Sequence, residues 1–160
     1  MKHVSFKSIE AAIKKVDNLD DEGLERLSET YALAQQTLLG YVMSAALEYE
    51  NEELEGLLIY YYCLISEAYN QENIRVRAVT EEDIDAFEEP YFQMLDSYFE
   101  NDDEETLESF CDQPELAQFM AMEISTEDDD GTTLNDETAT QLFIVTLAMI
   151  TLLGRASVAE

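Results

Sequence analysis

Residues 125–137, STEDDDGTTLNDE, carry carboxylates at the spacing of a calcium-binding loop. If Gly131 takes the sixth position, Asp128 and Asp130 fall at the third and fifth and Glu137 at the twelfth, where such loops place oxygen ligands. The first position would then be Thr126, which lacks the carboxylate that opens these loops, and the eighth would be Thr133, where an apolar residue is expected. With 37 Asp and Glu among 160 residues, partial matches arise by chance. We read the segment as a solvated loop in which Asn135 or Asp136 caps the final helix, and assign it no metal.

A second carboxylate set is Glu52 and Glu55, three apart, followed by Glu82 and Asp85, also three apart. Side chains at this spacing share a helix face and can share a magnesium ion. The four residues resemble the carboxylate pairs of all-helical nucleotide pyrophosphatases, which implies magnesium-dependent hydrolysis of a nucleoside triphosphate. That resemblance is confined to these four positions, and only Arg75 and Arg77 stand near them in sequence to hold a triphosphate. We read the spacing as chance, expect no enzyme activity and assign neither catalytic residues nor a cofactor.

Other chemistry lacks its residues. The single histidine, His3, is near the start of the sequence, so zinc sites built on histidine, Glu-x-x-His di-iron sets and histidine-based triads have no material. Cys63 and Cys111 lie in apolar, helix-like segments without C-x-x-C spacing, the pattern of reduced core thiols in a cytoplasmic protein. Three tyrosines, Tyr60 to Tyr62, point in different directions on a helix, so some pack and others keep their hydroxyls at the surface.

The elements that position these groups are helices. Phe6, Ile9, Ile13 and Val16 recur at helical spacing after Ser5, and the segment ends near Asn18. Asp20 or Asp21 caps a long second helix running to about Tyr49, with a weak point at Gly40. A third spans residues 51–73, with Leu54, Leu57, Leu58, Tyr61, Leu64, Ile65 and Ala68 inward. IRVRAV, residues 74–79, alternates like a strand but has no partner strand, so it reads as an extended connector. Thr80 caps a fourth helix that Pro90 should kink or divide. Shorter helical pieces follow at 104–111 and 114–124. The final helix, from near Asn135, is apolar on almost every side, which requires it to be surrounded. Its apolar run, 142–154, is shorter than the roughly 20 residues of a membrane span. The expected fold is all-α: a single-domain bundle of about five to seven helices with a buried C-terminal helix.

Charge distinguishes two halves. Residues 1–77 hold 14 acids and 7 bases, whereas residues 78–154 hold 22 acids and no Lys or Arg, within a formal net charge of −29. Such a surface repels nucleic acid and anionic membranes, and a partner should be basic. On the fourth helix Asp85, Glu89, Asp96 and Glu100 share one side, extended by Asp102, Asp103, Glu104 and Glu105. Carboxylates four apart on a helix rise about 6 Å along its axis, near two steps of a DNA strand at about 3.4 Å each. The expectation is therefore a non-catalytic cytoplasmic inhibitor that occupies the basic face of a partner such as a nuclease, as an immunity protein or DNA mimic does. Tyr98 and Phe99 would be its apolar anchors. The competing reading is an adaptor bundle that forms homo-oligomers through its final helix, with the acids serving solubility.

Overall fold

Ser5, Asp20 and Thr80 each open a helix by accepting a backbone N–H three residues on: from Ser8 at 3.3 Å, Gly23 at 2.7 Å and Asp83 at 3.2 Å. The computed structural model describes residues 3–50, 52–101, 104–111, 113–125 and 136–157, so the loop carrying Asp128, Asp130 and Gly131 lies outside the described residues. Eight helices are described: α1 (Phe6–Asp17), α2 (Asp21–Ala34), α3 (Gln36–Glu48), α4 (Glu52–Gln71), α5 (Glu81–Asn101), α6 (Glu104–Cys111), α7 (Pro114–Ser125) and α8 (Asp136–Arg155). The protein is an all-helical bundle with a long, mostly buried C-terminal helix.

The helix expected over residues 21–49 is two helices, and the break falls at Gln35, not Gly40. Gln35 leaves helical geometry at φ −136° and ψ 53°. Its buried side-chain amide donates to the Arg77 carbonyl at 2.8 Å and accepts from the Val79 N–H at 2.8 Å. One side chain thus satisfies two backbone groups of the connector between α4 and α5, in place of a partner strand. The connector is extended, as its sequence implies: Val76 forms an isolated antiparallel bridge with Ser157, and the Arg77 N–H donates to the Ala156 carbonyl at 2.9 Å.

Pro90 does not divide α5, which is continuous from Glu81 to Asn101. Proline removes the N–H that the Ala86 carbonyl would accept, but Ala86 and Pro90 are both exposed, so water can satisfy that carbonyl. The start of α5 is held firmly. Thr80 and Asp83 cap each other, with the Thr80 N–H 2.9 Å from the Asp83 carboxylate, and Arg77 grips that carboxylate through two nitrogens at 2.6 and 3.0 Å.

Two helices form the centre. Residues 61–69 of α4 and 145–154 of α8 are buried without interruption, and the two helices pack on each other. α3, α5, α6 and α7 also rest on α8, while α1 makes its main contact with α4. Several polar groups in this core find backbone partners. Thr146 and Thr151 donate to the carbonyls of Leu142 and Leu147, each at 2.8 Å, and the Tyr69 hydroxyl crosses from α4 to the Ile150 carbonyl at 2.9 Å. A methyl group on Gly154 would sit 3.2 Å from that hydroxyl, so glycine leaves room for the crossing. The tyrosine row is more deeply used than its sequence suggests: the buried Tyr62 donates to the Tyr31 carbonyl at 2.8 Å, and Tyr61 to Glu123 at 3.3 Å.

Candidate functional site: the acidic face of α5

The inward side of α5 carries Ile84, Phe87, Tyr91, Met94 and Leu95, all buried. Tyr91 donates to the Ile144 carbonyl and stacks on Phe87 with ring centroids 4.5 Å apart, which fixes the rotation of α5 against α8. The opposite side therefore faces water in a defined register. Asp85, Glu89, Asp96 and Glu100 are all exposed there, within about 60° of arc and about 22 Å of axis. Their successive rises of about 6, 10 and 6 Å approximate two, three and two steps of a DNA strand.

Phe92 and Phe99 stand on this same side, 49 % and 52 % exposed. Both lie at the edge of the carboxylate arc on the side toward Leu95, three before and four after it, which is the signal by which Phe92 could have been found. Tyr98 is placed differently from Phe99: it is half-buried, its ring 6.5 Å from Phe143 on α8. Glu105 on α6 is exposed. Asp102 and Asp103 lie outside the described residues, as does the side chain of Glu104.

Among the described residues no Lys or Arg forms an ion pair with the stripe. Arg77 is engaged by Asp83 at the N-terminal end of α5, in a pair that holds the Asp83 carboxyl well below the usual carboxylate range. Arg155 lies over the rings of Phe110 and Phe87 at 4.8 and 5.6 Å, on the side of α5 away from the stripe.

The carboxylate pairs of α4 and α5 do not assemble. Glu52 and Glu55 on α4 are not joined by Glu82 and Asp85 on α5, and among the described residues no three Asp, Glu, His or Cys side chains converge as a metal site. Asp128 and Asp130 are outside the described residues, as is the side chain of Glu137. Cys63 is buried, its thiol pushed up by burial and 3.2 Å from the Ser28 hydroxyl, the environment of an inert core cysteine. The side chain of Cys111 is not described.

One carboxylate that sequence reasoning missed is fully interior. Glu67 on α4 has no exposed surface; it accepts from the Lys15 ammonium at 2.7 Å, from the Tyr31 hydroxyl and from Gln71 at 3.1 Å. Burial alone would raise its pKa, yet these donors hold it below the ordinary value. Because Lys15 is on α1 and Tyr31 on α2, Glu67 braces both helices against α4.

The chain matches no protein-family model, and neither curated proteins nor solved structures show significant similarity to it.

Proposed function

We propose that this is a non-catalytic binding protein whose α5 face occupies the basic, nucleic-acid-binding or catalytic surface of a partner protein, in the manner of an immunity protein or a DNA-mimicking inhibitor. The observation that carries the reading is the pair of exposed phenylalanines, Phe92 and Phe99, set along the edge of a row of exposed carboxylates that form no ion pair among the described residues. Solubility accounts for the carboxylates but not for two phenylalanines held in water beside them. A recognition surface accounts for both: charge speeds encounter, and apolar anchors prolong the complex. Oligomerisation through the final helix draws less support, since the apolar residues of α8 are largely covered by its own bundle.

The test is a partner recovered from lysate at low salt and identified, followed by measurement of its association rate. Reversing Asp85, Glu89, Asp96 and Glu100 to Lys should slow association on the order of a hundredfold while the helical signal is kept. The same number of reversals at Glu10, Asp17, Glu25 and Glu29, all exposed, should slow it far less. Equal slowing by both sets would mean that net charge alone is sensed. No slowing by either would leave the stripe as a solubility device.

A further inference from the structure

Beside the stripe, α3 and α5 both rest on α8 rather than on each other, and the gap between them is a cleft of about 320 Å3. Its floor is apolar: Ile144, Val145 and Ala148 of α8, with Ala45 of α3. Its walls are aromatic, from Tyr41 and Tyr49 on the α3 side and Tyr91 and Phe92 on the α5 side. Its rim carries one carboxylate from each wall, Glu48 and Glu88. No lysine or arginine lines it, and among the described residues neither glutamate forms an ion pair.

We infer that this cleft receives an arginine side chain of the basic partner, with the guanidinium between Glu48 and Glu88 and against the tyrosine and phenylalanine rings. The inference rests on the reading of α5 as the face that meets a basic protein, and it names where that partner is gripped. Charge complementarity selects the occupant. Two carboxylates lining one cleft with apolar and aromatic residues disfavour an anion, and a neutral apolar group would leave them uncompensated. Arginine fits better than lysine because its planar guanidinium stacks on aromatic faces and pairs with carboxylates through several N–H groups. Size agrees, since the volume is at the lower end of the roughly 300–1,000 Å3 of small-molecule sites, room for one side chain rather than a large cofactor. The carboxylates act on the cleft interior already: burial, then the charges of Glu88 and Glu48, push the Tyr41 hydroxyl up to about 12. Phe92 belongs both to the cleft wall and to the exposed side of α5, so one partner segment can cover the stripe and fill the cleft.

The test uses N-acetyl-arginine methylamide and its neutral isostere, the citrulline counterpart, titrated into the full chain while methyl resonances of Ala45, Ile144, Val145 and Ala148 are followed. The arginine probe should shift these methyls saturably and the citrulline probe should not. The double substitution Glu48→Gln, Glu88→Gln should weaken the arginine response roughly tenfold. Equal responses to both probes, or no saturable shift at these methyls, would overturn the cleft assignment. A nona-arginine peptide separates this result from the wider reading. Binding weakened by charge reversal on α5 but untouched by the double substitution would remove the cleft and leave the acidic face standing. Binding indifferent to both would remove both.

Discussion

Glu67 and Asp96 are both acids on long helices, and the molecule uses them in opposite ways. Glu67 is closed in by Lys15, Tyr31 and Gln71 where α1 and α2 meet α4, and Glu72, just beyond the end of α4, accepts from Ser5 and Ser8 at the start of α1. Asp96 and its neighbours on α5 face water. Of the eight bases, Lys15, Arg26, Arg77 and Arg155 each make a contact within the fold, and among the described residues none pairs with the exposed row of α5. Carboxylates that hold helices together are compensated, and those of the candidate surface are left to act at a distance. Their mutual repulsion costs stability that the apolar core must offset, a cost that solubility alone could avoid by mixing both signs of charge.

Removing one acid from each class should expose this contrast most sharply. Glu67→Ala should lower unfolding free energy by about 3 kcal/mol, through the emptied space and the stranded Tyr31 and Lys15 groups, whereas Glu89→Ala should change it by less than about 0.5 kcal/mol. Urea titration of both variants checks this. Similar losses would mean that α5 carboxylates also hold the fold together.

Acidification should then erase the first effect. Because the Glu67 carboxyl is held below its ordinary value of 4.5, its contribution is complete above that pH and is lost as pH falls through the lowered folded value. The stability gap between wild type and Glu67→Gln, measured by urea midpoint at neutral pH and again near pH ~3, should therefore narrow. A gap that stays constant would show that shape, not charge, is what Glu67 supplies.

Salt should produce the smallest change and act on the other class. Raising ionic strength from about 0.05 to 0.5 M should stabilise the protein by up to about 1 kcal/mol as repulsion among surface acids is screened. The melting temperature in the two buffers reads it. A Lys-reversed α5 should show less of this gain, and an equal gain would place the repulsion elsewhere in the molecule.

Much of this architecture was legible because it is local. Ser5, Asp20 and Thr80 announce their helices by side chains that reach only three residues, and the apolar surround of α8 declares its burial through composition. The break at Gln35 was not legible, since its cause is a hydrogen-bonded clasp on Arg77 and Val79, more than 40 residues away. Nor was the passage of α5 through Pro90, which depends on which side of the helix meets water. Glu67 reads as surface by residue type, although its neighbours Leu64, Ile65 and Ala68 give the apolar spacing into which it falls. At the stripe, helical spacing aligned the carboxylates correctly. Phe92 and the cleft escaped notice because a cleft belongs to three helices at once.

The chain order places α8 after all the helices that pack on it. During synthesis, α3 to α7 emerge before the helix on which they share a surface, and the connector's Arg77 N–H waits for the Ala156 carbonyl, 2.9 Å away in the finished bundle. α1 to α4 can pack on one another earlier, but the shared core closes only with α8. A product clipped before α8 should therefore expose apolar surface and aggregate instead of forming a smaller stable unit.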